Sequence, residues 1–225
     1  MISLIIAEAA LETVPKIIAK HPSVVKHAAR NGKSVNEILL DRSYHHAAML
    51  KLNDAGKRGR PDLIHFALLE ATSTPLYQNG SLEIYVHTIA DKIIFLHGNV
   101  RLPKSYFRFE GLMEELFKEG RIKSSDKLLM EIKDLSFADL VSTIKPTKVI
   151  GLSRTGVKSN AEKVMMDVDD GSAIVVGGFP RGHFSSKVSR NIDGLYSISE
   201  YALEAHVVIA RILYEYERKL FNKVG

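Results

Sequence analysis

Short apolar runs and helical stripes of apolar residues follow one another along this chain. The runs are rich in β-branched residues and bounded by turn formers, which is typical of strands. We predict strands at residues 3–7, 38–40, 82–86, 92–96, 149–152 and 174–176. The last of these runs, IVV, has no alternating polar residue, so we expect it to be buried on both faces.

Three segments have the periodicity of helices. Residues 60–71 carry apolar side chains at i, i+3, i+4 and i+7, with Pro61 at the favoured first helical position. Residues 109–120 carry a similar stripe, which Gly120 ends. The third helix is predicted from residue 199 to about 219, with Ser197 and Glu200 as its capping pair. Its middle, AHVVIARILY, is apolar nearly all round, so we expect one side to face the sheet and the side near residues 207–214 a second subunit.

The alternation of strands and helices predicts an α/β fold with a mostly parallel sheet covered by helices. Segments 53–59, 73–80 and 153–160 are rich in turn formers and are predicted loops. None is long enough to mark a domain boundary, and 225 residues with 45% hydrophobic content suffice for one well-cored domain.

Composition narrows the classes of function. The absence of cysteine excludes disulfides, thiolate metal sites and a cysteine nucleophile. Residues 1–10 are typical of a first strand rather than a signal peptide, and no apolar run approaches the roughly 20 residues that span a bilayer. We therefore expect a soluble, cytoplasmic protein without membrane contact. The net charge of +5 favours a polyanionic partner.

The stretch IVVGGFPRG, residues 174–182, joins a predicted core strand to a glycine-rich loop. The loop contains Gly177, Gly178 and Gly182 but matches neither of two phosphate-binding motifs. A P-loop needs Lys and Ser/Thr where this chain has His183 and Phe184, and the dinucleotide-binding motif G-x-G-x-x-G is missing. The loop therefore either binds another ligand with its backbone or makes a tight turn between strand and helix. Two similar segments, 151–156 and 193–199, favour the ligand, because strand ends converge at one edge of a parallel sheet.

A second candidate is the basic segment 101–108. Arg101, Lys104 and Arg108 are three and four residues apart, so they would share much of one face if the segment is helical from Pro103. Such a face either binds RNA or is only solvated; Tyr106 and Phe107 between the cations would belong to the core or stack on bases.

The nine histidines do not indicate a metal site. The adjacent His45 and His46 point in different directions on a helix, and no H-E-x-x-H motif is present. His65 lies on an apolar helix and is predicted to be a hydrogen-bonded core residue. We predict no metal.

Four blocks carry a resemblance to a known family: GRPDLIH (59–65), RLPKSYFRFEGLM (101–113), VVGGFPRGHF (175–184) and LYSISEYALEAHVVIAR (195–211). In this order they resemble the Nep/Emg family of ribosome-biogenesis methyltransferases, of archaeal type. The resemblance extends from residue 5 to about residue 216, nearly the whole chain.

The resemblance implies a single SPOUT methyltransferase domain over residues 1–225, with an RNA-binding insertion near residues 77–130. It further implies a C-terminal trefoil knot, an obligate homodimer, and S-adenosyl-L-methionine bound in the knot loops. By motif match, the cofactor-binding residues are Gly177, Gly178, Gly182, Leu195, Tyr196, Ser197, Ile198 and Ser199.

The implied reaction is methylation of N1 of a pseudouridine in a small-subunit ribosomal RNA hairpin, during ribosome biogenesis. The implied RNA contacts are Arg60, Arg101, Lys104, Ser105 and Arg108, and Lys57 and Arg58 would extend this patch. Asp62 either orients Arg60 or acts as the base; from the residues alone it is also a first-turn carboxylate that complements the helix dipole. Two alternatives remain: a SPOUT methyltransferase acting on another RNA such as tRNA, and a non-catalytic rRNA-binding assembly factor.

Overall fold

The computed structural model describes residues 1–221. Within them, the strands are β1 (Ile2–Ala9), β2 (Leu82–Thr88), β3 (Ile93–Leu96), β4 (Arg121–Ser124), β5 (Lys127–Lys133), β6 (Val149–Lys158), β7 (Ala173–Gly177) and β8 (Gly194–Ser197). The helices are α1 (Pro22–Arg30), α2 (Arg42–Met49), α3 (Pro61–Thr72), α4 (Pro75–Gln78), α5 (Tyr106–Glu119), α6 (Phe137–Ile144), α7 (Ala161–Met166), α8 (Ser186–Ser189) and α9 (Ala205–Phe221). Two short 3₁₀ helices lie at Lys16–Ile18 and Ala55–Lys57.

All of these strands form one sheet in the order β4-β5-β3-β2-β1-β7-β6-β8. The part from β2 to β8 is parallel, whereas β3, β5 and β4 extend it through antiparallel pairs. The predicted α/β class is confirmed. The predicted parallel pairing holds for five strands. Strands β3, β4 and β5 extend the sheet through antiparallel pairs. Two of them, β4 and β5, were not predicted because polar residues interrupt their apolar runs.

The central strand β1 is buried on both faces because its side chains alternate between two cores. Leu4 and Ile6 belong to the larger core, which includes residues of α3, α5 and α9. Ile5 and Ala7 belong to the core on the other face, with residues of α6 and α8. The sheet is thus covered by helices on both sides, as a parallel sheet requires.

Two predictions at strands were wrong. Residues 38–40 are not a strand: Leu39 makes only an isolated bridge with Thr13 and packs in the larger core, whereas Ile38 and Leu40 pack with α1 and α2. The predicted loop 153–160 is mostly strand, since β6 continues to Lys158. It does so because Val157 and Lys158 resume pairing with β8 after a break in register at Leu152.

The helix predictions were right at residues 60–71 and 109–120, where α3 and α5 lie, and Gly120 ends α5 with a φ of +76°. The predicted start of the last helix was wrong. Ser197 is the last residue of β8 and pairs with Lys158 of β6. Its hydroxyl donates to the carbonyl of Ser199 and so does not cap a helix. The helix α9 begins only at Ala205.

The last helix buries one side within this chain. Ile209, Ile212 and Leu213 lie in the larger core, and α9 packs against α3 and α7. Tyr214, on another side, is 60% exposed. Among helices of residues 1–221, none combines the length and apolar character needed to cross a bilayer.

Gly156 of β6 lies directly against the backbone of β8. A Cβ at this position would lie 2.5 Å from the backbone nitrogen of Tyr196, closer than any real Cβ contact. Because backbone atoms on both sides would have to shift, we expect Gly156→Ala to lower the free energy of unfolding by about 1–3 kcal/mol, as overpacking does.

Thermal and urea unfolding would test this, with Gly111→Ala as the matched control. Gly111 lies inside α5 with open space where its Cβ would be, so alanine there should stabilise by about 0.5–1 kcal/mol. Equal stability of Gly156→Ala and the wild type would contradict the observed packing.

Candidate functional site

A cavity of about 510 Å³ opens at the carboxyl ends of β7 and β8 and beside the middle of β6. This is the sheet edge at which the three glycine-containing segments were predicted to converge. Its walls come from residues 152–154, 176–177, 179–184, 196–199, 201–205 and 208, together with Leu63 of α3. The parallel strands therefore bring together loops that are far apart in sequence.

The first wall is the loop that follows β7, residues 177–184, which we call the glycine loop. Gly177 and Gly182 line the cavity, together with Phe179, Arg181 and His183 among others. Gly182 has a φ of +105°, a backbone conformation that residues with a Cβ rarely adopt. The bend that the sequence predicted is therefore present at this position.

Gly178 has a different role, because it lies outside the lining and against β1. A Cβ there would lie 2.8 Å from both Cα of Ala9 and Cγ2 of Ile6. Its backbone N–H donates to the carbonyl of Ala7, and its carbonyl accepts from the N–H of Ala10. Glycine at this position lets the loop lie directly on the central strand.

The second wall follows β8. Of the eight residues predicted at the cofactor site, the lining includes Gly177, Gly182, Tyr196, Ser197, Ile198 and Ser199. Leu195 lies outside it and packs over Gly151, where a Cβ would be 2.9 Å from the leucine Cδ1. The predicted residues thus gather at one cavity, apart from Gly178 and Leu195.

Sequence reasoning did not single out part of this lining. Leu203, Glu204 and Ala205 line the cavity, but the apolar pattern had placed them inside the last helix. The segment 151–156 did point to Ser153 and Arg154, which line the cavity from β6. The lining therefore combines the guanidinium groups of Arg154 and Arg181 with the carboxylate of Glu204 and with apolar side chains.

Arg60 and Asp62 form a two-pronged ion pair at the start of α3. Nε and Nη2 of Arg60 lie 2.8 and 2.7 Å from the two carboxylate oxygens of Asp62. This hydrogen bonding raises the pKa of Arg60 above its usual range, and the charge of Glu204 adds to the effect. Since Leu63 and Glu204 line the cavity, the pair lies beside its edge. Both oxygens of Asp62 are engaged by Arg60, which favours an orienting role.

Lys57 and Arg58 do not extend the basic patch, contrary to the prediction. Their side chains are only 16% and 18% exposed, because each pairs with a buried carboxylate at the end of β1 or just after it. Lys57 contacts Glu8, and Arg58 contacts Glu12 through two hydrogen bonds. Spacing along the chain could not show this, since the partners lie 49 and 46 residues away.

The basic segment 101–108 is only partly helical. The helix α5 begins at Tyr106 rather than at Pro103, so the predicted helical face shared by the cations was wrong. The four predicted RNA contacts of the segment are nevertheless all exposed: Arg101, Lys104, Ser105 and Arg108.

Two hydrogen bonds fix this segment to the rest of the fold. Nε2 of His65 lies 2.7 Å from the carbonyl oxygen of Pro103, and the hydroxyl of Tyr106 donates to Asp41 at 2.8 Å. His65 is buried and its ring stacks on Phe109, which confirms it as a hydrogen-bonded core residue. Phe107, by contrast, is 77% exposed.

A second hollow, of about 410 Å³, lies beside Arg108 and Phe107 and is lined by carboxyl groups. Burial, with the charges of Glu114 and Asp41, raises the pKa of Glu110 to about 7. Glu114 is itself buried, pairs with Lys33 and accepts a hydrogen bond from the backbone of Leu39.

His27 of α1 and His45 of α2 lie within hydrogen-bonding distance of each other. Nδ1 of His45 accepts from the backbone N–H of Asp41, and its Nε2 lies 3.0 Å from Nδ1 of His27. Burial lowers the pKa of His45 to about 4, so the ring is neutral at physiological pH. Within residues 1–221, no three side chains of the His, Asp or Glu type group together as metal ligands.

Comparison with known proteins identifies the family. The model of the EMG1/NEP1 methyltransferases matches residues 4–217. The chain belongs to this family. This confirms the resemblance noted in the sequence.

Individual relatives agree. The chain is 42% identical to the ribosomal RNA small subunit methyltransferase Nep1 of Staphylothermus marinus, covering 94% of this chain and 93% of the relative. It is 41% identical to the protein of the same name from Saccharolobus solfataricus, covering 94% of both chains. The crystal structure of Archaeoglobus fulgidus Nep1 bound to S-adenosylhomocysteine superposes with a TM-score of 0.86 at 37% identity, covering 96% of this chain and 97% of that one.

The raised pKa of Glu110 predicts a pH-dependent stability. The pKa of Glu110 in the folded state, about 7, lies above the ordinary 4.5. The contribution of Glu110 to the free energy of unfolding is therefore fully present below pH 4.5 and is lost as pH rises through 7. The melting temperature of Glu110→Gln minus that of the wild type should therefore increase as pH rises from about 5 to about 8, because glutamine never acquires the charge.

Differential scanning calorimetry at several pH values would measure this, with Glu115→Gln as the control. Glu115 is exposed on the same helix, so that variant should follow the wild type. A constant difference between Glu110→Gln and the wild type across this range would show that Glu110 does not titrate there.

Proposed function

We propose that this protein transfers a methyl group from S-adenosyl-L-methionine to N1 of a pseudouridine in small-subunit ribosomal RNA. The observation that carries the proposal is the cavity at the carboxyl ends of β7 and β8 and the middle of β6, with the Arg60–Asp62 pair beside its edge, in a member of the EMG1/NEP1 methyltransferase family. The relatives named above are small-subunit rRNA methyltransferases, which supports the same substrate class here.

The cavity residues fit this cofactor. The volume of about 510 Å³ lies within the range of pockets for ligands of this size. Leu152, Val176 and Ile198 offer an apolar surface for a flat ring, and Gly177 and Gly182 of the glycine loop offer backbone groups that carry no side chain. Bound S-adenosylmethionine supplies a sulfonium methyl group, and the Archaeoglobus homologue bound to S-adenosylhomocysteine supports binding here.

The chemistry requires mainly positioning. Pseudouridine exposes N1–H, which uridine lacks; the N1–CH₃ bond forms as the sulfur–CH₃ bond breaks, and the N1 proton leaves to a base. Alignment of nitrogen, methyl and sulfur can supply most of the acceleration. Because both oxygens of Asp62 are held by Arg60, we assign the proton to water and give Asp62 the role of orienting Arg60.

The RNA would lie over the cations beside the cavity. Exposed Arg101, Lys104 and Arg108 suit phosphates, with Ser105 directly before α5 and Arg60 beside the edge of the cavity. We include these in a single domain over residues 1–225, with the RNA-binding insertion near residues 77–130. The antiparallel strands β3 and β4 and the helix α5, all within that range, support this division.

We further propose that the C-terminal part forms a trefoil knot and that the protein is a cytoplasmic homodimer. The close passage of Gly156 against the backbone of Tyr196 supports the knot, because a threaded chain needs such tight crossings. The exposure of Tyr214 and partial exposure of Val207 on α9 support the dimer, as apolar surface is left for a partner. Light scattering would give the oligomeric state.

A methyl-transfer assay on two hairpins that differ only in uridine or pseudouridine at one position tests the function. Only the pseudouridine hairpin should become methylated, at N1, because only pseudouridine presents this nitrogen with a proton. Methylation of the uridine hairpin as well would refute the specificity. Methylation of tRNA alone would support the other RNA substrate, and cofactor binding without transfer would favour an assembly factor.

The basic segment gives a separate prediction. Arg101→Glu and Arg108→Glu should each sharply weaken hairpin binding at moderate salt, because a phosphate attraction becomes a repulsion. The slope of log affinity against log salt should flatten by roughly 0.7–0.9 for each phosphate that the protein no longer neutralises. Fluorescence titration of labelled hairpin at several salt concentrations measures both effects.

Lys145→Glu provides the control for charge. Lys145 is exposed at the end of α6, a helix on the opposite face of the sheet from α5, so reversal there should leave the affinity nearly unchanged. If the Arg101 and Arg108 variants bind like Lys145→Glu, the basic segment is only a solvated surface.

A further inference from the structure

Glu8 occupies an unusual position at the end of β1. It is 5% exposed, and its φ of +50° places a residue with a Cβ in the left-handed region. The pairing of β1 with β2 becomes irregular there, between Ile6 and Ala9. Such conformations persist only where the surroundings hold them, and they occur preferentially at functional sites.

The backbone of Glu8 is held by His87 of β2. Its N–H donates to Nδ1 of His87 at 3.2 Å, and Nε2 of the same ring lies 3.0 Å from a carboxylate oxygen of Asp91. Burial lowers the pKa of His87, which keeps the ring neutral, with its proton on Nε2 and Nδ1 as the acceptor. The strained residue is therefore fixed from the neighbouring strand.

The side chain of Glu8 points to Lys57 and to Ser185, the residue that follows the glycine loop. One carboxylate oxygen lies 2.8 Å from Nζ of Lys57, and the backbone N–H of Ser185 donates to the carboxylate at 3.0 and 3.3 Å. Both side chains of the ion pair are largely shielded from water. Removing one partner of such a pair would leave a buried charge uncompensated.

Lys57 contacts the same loop at two further points. Its ammonium group donates to the carbonyl of His183 and lies 4.5 Å from the ring centre of Phe179. Between these points, its Cε lies 3.1 Å from where a Cβ would be at Gly182. The pair thus touches the loop near its start, middle and end.

We propose that the Glu8–Lys57 ion pair holds the glycine loop in the shape that binds the cofactor. Phe179, Gly182 and His183 line the cavity, whereas Glu8 and Lys57 lie outside its lining. The two are therefore positioning residues that act through the loop. This inference rests on the proposed function, since it takes S-adenosylmethionine as the ligand of the cavity.

The chain contains a matched control in the Glu12–Arg58 ion pair. Glu12 is 4% exposed, and Arg58 binds it through hydrogen bonds of 2.7 and 2.6 Å. This pair joins the same two segments of the chain as Glu8 and Lys57, but Glu12 and Arg58 lie outside the cavity lining. Its loss should lower stability without acting on the glycine loop.

The experiment compares S-adenosylmethionine binding by calorimetry with melting temperature for Glu8→Gln and Glu12→Gln in the full-length protein. Both variants should melt at lower temperature. Only Glu8→Gln should weaken binding, by at least about tenfold, as expected for a lost charged hydrogen bond. In the methyl-transfer assay its KM for the cofactor should rise, while kcat at saturating cofactor should stay near that of the wild type.

A second series keeps the test valid if Glu8→Gln does not fold. Lys57→Met preserves the apolar stem but removes the ammonium group, and should weaken cofactor binding; Lys57→Arg keeps the charge and should restore most of it. Equal cofactor affinity in Lys57→Met and the wild type, or equal losses in Glu8→Gln and Glu12→Gln, would overturn the inference. A wild type that binds no S-adenosylmethionine would instead refute the proposed function itself.

Discussion

Two buried carboxylates, Glu8 and Glu12, lie where the central strand β1 ends, and the surrounding loops converge on them. Burying a carboxylate is costly unless a cation and hydrogen bonds compensate its charge. Here Lys57 and Arg58 supply the cations from one segment, and the N–H of Ser185 supplies a hydrogen bond from another. Charge compensation thus joins three distant parts of the chain at one end of the sheet.

The same strand end connects the two halves of the proposed active site. The carbonyl of Ala10 accepts from the N–H of Arg60, and the N–H of Ala10 donates to the carbonyl of Gly178 in the glycine loop. Arg60 directly precedes α3, whose Leu63 lines the cavity. Arg60, a proposed RNA contact, and the glycine loop of the cavity are therefore fixed to one short piece of backbone.

Local signals in the sequence were sufficient for much of this arrangement. The glycine loop, α3 and the lining residues Tyr196–Ser199 follow from turn chemistry, periodicity and the resemblance in motifs. Pairing between distant segments was beyond such signals. Ser197 was predicted to cap the last helix, but it pairs with Lys158 of β6 instead. Lys57 was predicted to extend the RNA-binding patch, but Glu8, 49 residues away, neutralises its charge.

The proposed ligand of the cavity between the glycine loop and residues 196–205 is S-adenosylmethionine. A crystal structure of this protein grown with saturating S-adenosylhomocysteine would test it most directly. We expect ligand density between Gly182 and Ser199, at the carboxyl ends of β7 and β8. Density elsewhere, such as in the hollow beside Phe107 and Glu110, or a cavity that stays empty at saturating ligand, would contradict it.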